Sequence, residues 1–513
     1  MHRRTFLRHT TLALATLSVL PLGRAHAANG GHTWYVDSGG GNDAHNGGSE
    51  AQAFRSLDRL NKESFGPGDR ILFKRGGDYP GAFLPKGSGS VDAPIVVDAY
   101  GQGALPHLHA DGQAPSTVRL QNVEYWTVQN LEISNQGPQP APRRTGVHLF
   151  HQDFGVARGI TLKGLYVRDV NGVPVKKDGG GSGILVEAKG KTKPTRYEGL
   201  SIVDNHLDNT QRDGILFLGA GSRQGGLAKG VVVRGNQITG VPGDCILVKG
   251  CDGAVVERNT VSKCGPLPRG EAAAGIWPFD CDNTTVQYNE VSGHKAYADG
   301  QAYDSDFRCR NTVIQYNYSH DNVGGMALVC NDGRSGGDIG NTGTIVRFNV
   351  SINDALRKSD SASLRISGPV NGSQIYNNII IIPEKPIAGA EVTVFKATSW
   401  KGVPIQVTSK IISRYAWTTA SIDVSVNGIT VLRTGGVAKI AGDTTATFEH
   451  KHMRHEAVLR WQRGSFRSFP FQLEIDAALV TDSRVFVSNW WIAWWPLTGT
   501  VVVALLWRMV ISR

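Results

Sequence analysis

The sequence predicts an all-β protein in which a parallel β-helix solenoid is followed by a small β-sandwich-like domain and a C-terminal transmembrane helix. From Asn205 onward, asparagines that end short apolar segments recur at steps of 23 to 32 residues. A second series, of dipeptides in which a small residue usually precedes an apolar one, recurs in phase with these asparagines. The composition holds 63 glycines, four methionines and 19% charged residues, which is typical of a folded chain of many short strands and turns.

Residues 1–27 predict an export signal. A basic start precedes the apolar run from Thr11 to Leu22, and Ala25-His26-Ala27 is a small-residue cleavage site. The segment Arg3-Arg4-Thr5-Phe6-Leu7-Arg8 resembles the twin-arginine motif of the pathway that exports folded proteins, with an ordinary Sec signal as the alternative. We therefore expect an exported protein whose β-helix lies on the periplasmic or extracellular side.

The repeats predict a β-helix over residues 28–383. The asparagine series comprises Asn130, Asn205, Asn236, Asn259, Asn289, Asn317, Asn349 and Asn378. The interleaved series comprises Gly183-Ile184, Gly214-Ile215, Cys245-Ile246, Gly275-Ile276, Gly300-Gln301, Gly325-Met326 and Ser363-Leu364. One repeat cannot bury its apolar residues alone, so neighbouring repeats must stack. Asparagine suits the turn because it tolerates left-handed backbone angles and can form side-chain ladders between coils.

The opening motifs carry a family resemblance. Trp34-Tyr-Val-Asp-Ser38, the glycine-bounded segment from Gly66 to Gly76, and Ala93-Pro-Ile-Val-Val97 resemble the start of exported carbohydrate-active β-helix proteins. Over roughly residues 32 to 383 the chain resembles the right-handed parallel β-helix, pectate-lyase-like superfamily. The resemblance implies a polysaccharide lyase, hydrolase or epimerase that works in a groove on the outer face of the coil.

The second strand series predicts two outward-facing columns, because alternate residues of a strand point to opposite faces. With Ile215, Ile246, Ile276 and Met326 inward, the first column is Leu216, Leu247, Trp277, Ala302, Ala327 and Arg365. The second is Leu218, Lys249, Phe279, Asp304, Val329 and Ser367. We expect Trp277 and Phe279 to stack on sugar rings, and Arg308, Arg365 and His294 to contact polar substituents.

The densest group of titratable residues predicts the catalytic site. It contains His294, Lys295, Asp299, Asp304, Asp306, Arg308, His320 and Asp321. Asp304 and Asp306 share one face of a strand, where mutual repulsion raises the pKa of one of them. A protonated acid beside an ionised partner is what glycoside hydrolysis requires, and His320 or Asp321 would tune the pair. The alternative is a calcium-binding or turn-stabilising cluster.

A further acidic column is predicted from Asp213, Asp244 and Asp299. Neighbouring coils lie about 4.8 Å apart, so these carboxylates repel one another unless Arg212 or a metal ion neutralises them. Calcium is the expected metal, since carboxylate oxygens from adjacent coils are suitable ligands. In the alternative, each aspartate caps a turn.

The stretch from Ala298 to Asp304 is similar to a motif of the family-nine pectate lyases, in which a calcium-ligand aspartate and a glycine precede a catalytic lysine. Here Asp304 occupies the lysine position, and of the paired aspartates that follow in those lyases only Asp321 agrees. Lys249 or Lys295 could replace the base in a calcium-dependent elimination from a uronate. Hydrolysis by paired aspartates is favoured, with that lyase reaction and a noncatalytic glycan-binding adhesin as alternatives.

The cysteines fit the predicted register. Cys251, Cys281 and Cys309 each lie eight residues before an asparagine of the series, so they should stack. With Cys330 they are expected to form a ladder of small apolar side chains. No paired short spacing of the kind that binds zinc occurs.

Charge and partners can also be predicted. Without the four arginines of residues 1–27, the chain holds 50 basic and 44 acidic residues, a net charge of +6. This surplus fits an acidic polysaccharide weakly, and no basic block indicates nucleic-acid binding. We expect a monomer with a polysaccharide substrate.

Residues 384–484 predict a small β-rich domain of short alternating strands with a hairpin at Asn427-Gly428. From Val485 to Trp507 no charged side chain occurs, and such a segment is long enough to span a bilayer. A transmembrane helix over 485–508 with a cytoplasmic tail over 509–513 is therefore expected, with tryptophans near both interfaces. A buried terminal segment is the alternative, favoured by Pro496 and Gly499.

Overall fold

The computed structural model describes residues 31–331, 340–357, 362–382, 391–414, 417–433, 441–462 and 468–486. The predicted export signal lies outside these residues. The chain divides into two units between Pro383 and Glu384.

The first unit is a parallel β-helix whose coils contribute strands to three sheets. The fourteen-stranded sheet contains Thr33–Val36, Arg70–Lys74, Ile95–Tyr100, Trp126–Gln129, Val156–Lys163, Arg196–Val203, Ala228–Lys229, Val232–Arg234, Cys251–Asp252, Val255–Glu257, Thr285–Gln287, Val313–Gln315, Ile345–Arg347 and Gln374–Tyr376. The eleven-stranded sheet contains Asp78–Pro80, His107–His109, Glu132–Asn135, Tyr166–Val170, His206–Thr210, Gln237–Thr239, Thr260–Ser262, Glu290–Ser292, Tyr318–His320, Val350–Ile352 and Ile379–Ile381.

The third sheet carries the candidate site and is called the groove sheet. Its nine strands are Ser116–Gln121, Arg144–Gln152, Gly181–Lys189, Asp213–Gly219, Ile246–Lys249, Ile276–Phe279, Tyr303–Ser305, Ala327–Cys330 and Leu364–Ser367. Two short pairs complete the coils, namely Ala272–Ala273 with Ala298–Asp299 and Asn341–Thr342 with Val370–Asn371. Helix is confined, in the described residues, to Leu57–Leu60 and the 3-10 turns Glu50–Gln52 and Lys176–Asp178.

One apolar core runs through the middle of the coils. Side chains from all three sheets, including Trp126, Tyr197, Phe217 and Ile276, are at most 1% exposed and form a single cluster. Cys251, Cys281 and Cys309 belong to this core, and the Cys251 amide donates to the Cys281 sulfur at 3.4 Å. The predicted cysteine stack is therefore present for these three residues, whereas Cys330 lies elsewhere.

The asparagines of the series form a buried ladder. From Asn205 through Asn236, Asn259, Asn289, Asn317 and Asn349 to Asn378, each amide nitrogen donates to the next amide oxygen at 2.9 to 3.0 Å. The left-handed backbone angles fall on the preceding residue, for example Tyr288 at φ 56°, because each asparagine itself faces the core. Asn130 is not part of the ladder: its amide donates to the Asp98 carboxylate at 2.7 Å.

Replacing Asn289 by alanine is expected to lower the free energy of unfolding by about 2 to 4 kcal/mol, because it leaves the Asn259 amide and the Val256 carbonyl unpaired in the core. Urea unfolding measures the change. Gln237→Ala, at an exposed position next to the ladder, is the matched control and should change stability by no more than about 0.5 kcal/mol. Equal effects of the two substitutions would contradict a structural role for the ladder.

The second unit contains two four-stranded antiparallel sheets. One comprises Glu391–Trp400, Val403–Arg414, Trp417–Val426 and Ile429–Arg433, and the other Ala441–His450, Met453–Gln462, Ser468–Ile475 and Ala478–Phe486. Buried residues of both sheets, such as Val424 and Leu459, share one apolar cluster. The hairpin at Asn427 and Gly428 has both residues at positive φ, as a tight turn of this type requires.

The predicted transmembrane helix receives no support. Among the described residues, no helix has the length and apolar character needed to cross a bilayer. Of the predicted span 485–508, only Val485 and Phe486 are described, and they end a β-strand.

Candidate active site

The outward face of the groove sheet carries a column that ends in acidic and basic groups. Leu216, Leu247 and Trp277 are register partners on successive strands. Because Ile276 pairs with Tyr303, Asp304 is the neighbour of Trp277, and Leu328 and Arg365 follow it. In the adjacent column, Lys249 pairs with Phe279, and Asp306 and Cys330 continue that column toward Ser367.

This register corrects the predicted columns by two residues on the Tyr303 strand and by one residue on the Ala327 strand, and it leaves Arg365 and Ser367 as predicted. Tyr303 points inward, where its hydroxyl lies 2.8 Å from the Asn289 carbonyl and 2.7 Å from the Tyr318 carbonyl. Ala302, Ala327 and Val329 are buried in the core rather than placed on the outward columns. The predicted pairing of Asp304 with Phe279 is therefore wrong, and Asp306 takes that position.

Asp299, Asp304 and Asp306 form the acidic cluster of this face. One carboxylate oxygen each of Asp304 and Asp306 and the Cys330 sulfur all lie within 4.8 Å of one another. Asp304 is 4% exposed, and its carboxylate accepts a hydrogen bond from the Gln301 amide at 3.1 Å. Asp299 and Asp306 are both less deeply buried than Asp304. Asp304 is thus the innermost carboxylate of the three.

All three carboxyl pKa values are raised. Burial and the charges of Asp306 and Asp299 raise the pKa of Asp304 well above its ordinary value. Burial raises the pKa of Asp306 to about 6, against hydrogen bonds from the Cys330 thiol and the Phe307 amide that lower it. Burial and the charge of Asp244 raise the pKa of Asp299. Carboxyl pKa values shifted toward neutral pH are typical of acid–base sites.

Cations surround the cluster without neutralising it fully. Arg365 and Arg357 line a small cavity together with Asp299, and both oppose the rise in the pKa of Asp299. The Lys176 ammonium lowers the pKa of Asp306. Arg308 lies 5.4 Å from the centre of the Phe279 ring and is paired with Asp280 at 3.3 Å. The positive groups therefore oppose the rise in the pKa values of Asp299 and Asp306 and favour the ionised carboxylates.

An apolar strip adjoins the acidic cluster. Leu247, Ala274 and Trp277 form a small cluster on the outer side of the sheet, and Leu216 and Phe279 pack against it. Leu216 and Phe279 are its partly exposed members, and the Phe279 ring is of the kind on which sugar rings stack. Trp277 and Phe279 are thus placed as predicted, beside the acidic cluster, although Trp277 is only 7% exposed.

The Asp213 and Asp244 carboxylates belong to a buried ion-pair network. Arg212, which is fully buried, lies 3.5 Å from Asp213, 3.9 Å from Asp244 and 3.4 Å from Glu271. Asp213 accepts the Asp244 amide at 3.1 Å, and Asp244 accepts the Ala274 amide and the Trp277 ring nitrogen, both at 3.2 Å. Burial and the charge of Asp244 raise the pKa of Asp213 to about 7.

These contacts do not fit calcium. The carboxylate oxygens already face a guanidinium and backbone or indole donors, so a divalent cation would have to displace Arg212. Calcium binding stays an untested prediction, and the backbone hydrogen bonds of Asp213 and Asp244 agree with the alternative in which these aspartates cap turns.

Four predicted residues lie apart from the cluster. His320 is on the eleven-stranded sheet; burial lowers its pKa, but hydrogen bonds to Asp321 at 2.8 Å and to Glu290 at 3.3 Å outweigh burial and raise it. Neither His320 nor Asp321 can tune Asp304 from that face. His294 is fully buried against the Gly243 carbonyl, so it cannot bind substrate. Lys295 is exposed, and its backbone pairs with Pro266.

Lys249 does lie on the groove face. Its ammonium is 4.9 Å from the centre of the Phe279 ring, and burial lowers its pKa. Two strand spacings, about 10 Å, separate its position from that of Asp306. Lys249 is thus placed to contact a glycan, at a distance from the carboxylates.

Several groups of the site were missed by sequence reasoning. Gln301, Cys330 and Lys176 contact or influence the acidic cluster. Cys330 was missed through the one-residue register error. Lys176 comes from a 3-10 turn more than a hundred residues earlier, and no sequence signal links it to the cluster.

Comparisons with known proteins agree with this description. The family model described as "Right handed beta helix region" matches residues 182–380. A lacto-N-biosidase of Bifidobacterium longum subsp. longum is 27% identical over an alignment of 455 residues that covers 70% of this chain. This chain spans 28% of that relative's length.

Solved structures give the same picture. Two crystal structures of a GH136 lacto-N-biosidase from Eubacterium ramulus, native and selenomethionine-labelled, are similar with TM-scores of 0.55 and 0.57 at 27% and 28% identity. Each match covers 69% of this chain and 68% of the other. The expected resemblance to carbohydrate-active right-handed β-helix proteins is confirmed.

Proposed function

We propose that this chain is a glycoside hydrolase that cleaves a glycan bound along the groove sheet, with Asp306 and Asp299 as the reacting carboxylates. The observation that carries the proposal is the cluster of three aspartates with raised pKa values beside an apolar strip, in a chain similar to lacto-N-biosidases. Two carboxyl groups in different protonation states are the machinery of glycoside hydrolysis.

The roles follow from exposure and charge. A reacting group must touch the sugar, and Asp299 and Asp306 are less buried than Asp304. Asp306 accepts hydrogen bonds from the Phe307 amide at 2.7 Å and from the Cys330 thiol at 3.1 Å, and both stabilise its ionised form. Asp306 therefore acts as nucleophile or base and Asp299 as the acid. Burial and the charges of Asp306 and Asp299 raise the pKa of Asp304 well above its ordinary value, and we assign it a positioning role behind Asp306. This assignment replaces the pair Asp304 and Asp306, which the sequence alone predicts as the catalytic carboxylates.

Digestion of p-nitrophenyl lacto-N-bioside and of a panel of neutral and acidic polysaccharides tests the proposal, with and without a chelator. Release of nitrophenol or of new reducing ends, unaffected by the chelator, is the expected result. Absorbance from unsaturated uronates that disappears with chelator would instead establish the calcium-dependent lyase alternative. Binding without any turnover would favour the adhesin.

The pH dependence of hydrolysis is a further expected outcome. Because Asp306 must be ionised to react, kcat/KM should rise with pH through a limb near pH 6, the value to which burial raises the pKa of Asp306. Lys176→Met removes a charge that lowers this pKa, so the limb should move to higher pH. Lys177→Met, at the exposed neighbouring position, is the control and should leave the limb in place. A limb that moves to lower pH in the Lys176 variant would contradict the assigned role of Asp306.

A further inference from the structure

A second, larger cavity opens on the groove sheet, toward the N-terminal side of the acidic cluster. Its volume is about 350 Å³. Strands from Ser116–Gln121 to Asp213–Gly219 supply its floor, and the 3-10 turn that contains Lys176 contributes to its wall. The proposed cleavage chemistry uses none of the groups on this floor.

The lining of the cavity is positively charged. Arg119, Arg143, Lys176 and Lys189 line it, and Glu187 is the acidic residue among the lining side chains. Glu187 is already neutralised, since Lys189 lies 2.7 Å and His148 3.2 Å from its carboxylate. Those two contacts lower the pKa of Glu187 to about 2, so it stays ionised and paired. Lys176 lies 3.7 Å from the Asp244 carboxylate, so Arg119 and Arg143 remain as the surplus of positive charge.

Two arginines offer this charge to a ligand. The Arg119 guanidinium is stacked 4.7 Å from the centre of the Phe150 ring, which holds it at the cavity. Arg143 is exposed. Within the residues that the structure describes, neither side chain has an ion-pair partner. A guanidinium fixed on an aromatic ring is well suited to bind a carboxylate or sulfate with two hydrogen bonds.

The cavity is continuous with the acidic cluster. Leu216 lines the cavity, and its register partners Leu247, Trp277 and Asp304 lie on the next three strands. Three strand spacings correspond to about 14 Å, a distance that a short oligosaccharide spans. The apolar strip lies between the two sites, and the Lys176 ammonium is 5.7 Å from the centre of the Trp277 ring.

We propose that this cavity is a subsite for an anionic group, a carboxylate or a sulfate, carried by the same glycan that is cleaved at the acidic cluster. The inference rests on the proposed function and adds a substrate class to it: acidic oligosaccharides with the charge a few sugar units from the cleaved bond. Neutral glycans lack the group that would meet Arg119 and Arg143.

Kinetics on matched substrates test the subsite. The full chain is given a neutral oligosaccharide that it cleaves and the same oligosaccharide carrying one sialic acid or one sulfate ester, in separate arms. The ratio of kcat/KM for the acidic over the neutral form should be about tenfold or more at low salt and should fall in 0.5 M NaCl. In Arg119→Gln and Arg143→Gln this ratio should approach one, whereas Arg234→Gln, an exposed substitution on the fourteen-stranded sheet, should keep it. A ratio near one in the wild type, or one that neither substitution changes, would overturn the subsite.

Direct binding separates this proposal from the proposed function. The same acidic and neutral glycans are titrated into the full-length Asp306→Asn variant and into Asp306→Asn with Arg119→Gln, and heat release is measured. Tighter binding of the acidic glycan that is lost with Arg119→Gln supports the subsite even if the wild type cleaves nothing. Equal binding of both glycans overturns the subsite even if hydrolysis is observed. Comparing the sialylated and sulfated arms identifies which anion is preferred.

Discussion

Asparagine in place of Asp306 is expected to lower kcat/KM for glycoside hydrolysis by about a thousandfold or more, since a general acid–base or nucleophilic group is lost while the shape of the side chain is kept. Asp306 continues the outward column of Phe279, and its carboxylate lies 3.1 Å from the Cys330 sulfur. Initial rates on the best substrate of the panel measure the loss. Asp92→Asn, in an exposed turn, is the control and should keep full activity.

The stability of this variant distinguishes catalysis from folding. Burial raises the pKa of Asp306 to about 6, so the folded protein binds its proton more tightly than the unfolded chain does. The free energy of unfolding therefore falls as pH rises from the ordinary aspartate pKa to about 6. At pH 7 the ionised Asp306 carboxylate destabilises the folded state. Asp306→Asn should have an unchanged or higher melting temperature at pH 7. Retention of more than a tenth of the activity by this well-folded variant would refute the catalytic role.

Variants of Asp299 and Asp304 identify the carboxyl group that acts together with Asp306. Asp299→Asn should cause a loss comparable to that of Asp306→Asn, and Asp304→Asn a smaller one, because Asp304 is buried behind the reacting groups. The reverse order would return the acid role to Asp304.

Arg212→Met is expected to lower the free energy of unfolding by about 3 to 5 kcal/mol, the usual cost of removing one partner from a buried ion pair. Arg212 is fully buried between Asp213, Asp244 and Glu271. Methionine has a similar length and keeps the Cβ atom at the left-handed φ of 75°. Urea unfolding at pH 8 should show the full loss. At pH 5 the loss should be smaller, because Asp213, with a pKa already raised to about 7, takes up a proton.

Two further variants test whether the loss of stability comes from the buried ion pairs of Arg212. Arg234→Met removes an exposed arginine that pairs with Glu257, and its cost should stay below about 1 kcal/mol. Adding Asp213→Asn to Arg212→Met should restore part of the lost stability, because one uncompensated charge is removed with its partner. A loss below about 1 kcal/mol for Arg212→Met would show that the carboxylates do not depend on this guanidinium.

The repeat architecture could be predicted from sequence because its cause is local. Each buried asparagine must face the asparagine of the next coil. This requirement appears in the sequence as the recurring spacing from Asn205 to Asn378. The outward face was predicted correctly at Leu216, Leu247 and Trp277, and again at Arg365 on the last strand of the groove sheet. On the Tyr303 strand the register is displaced by two residues from the predicted alignment, and on the next strand by one, so Asp304 and Leu328 take the positions predicted for Ala302 and Ala327.

The acidic cluster was predicted in composition but not in arrangement. Sequence proximity grouped His320 and Asp321 with Asp304, yet a β-helix sends residues this far apart along the chain to different sheets. The same geometry brings Lys176 close to Asp306 across a large sequence separation. Burial, which separates Asp304 from Asp299 and Asp306, depends on neighbours such as Trp277 and Leu328 that only the folded register brings together.

The asparagine ladder makes each coil an interchangeable module. Each ladder residue from Asn236 to Asn349 pairs with an asparagine on both neighbouring coils, so a coil inserted or deleted between two of them would find the same amide contacts on both sides. Differences in coil length, from 23 to 32 residues, are absorbed by the connections outside the ladder. Evolution can therefore lengthen or shorten the outward face of the groove sheet by whole coils between Leu216 and Trp277 while the acidic cluster keeps its local geometry.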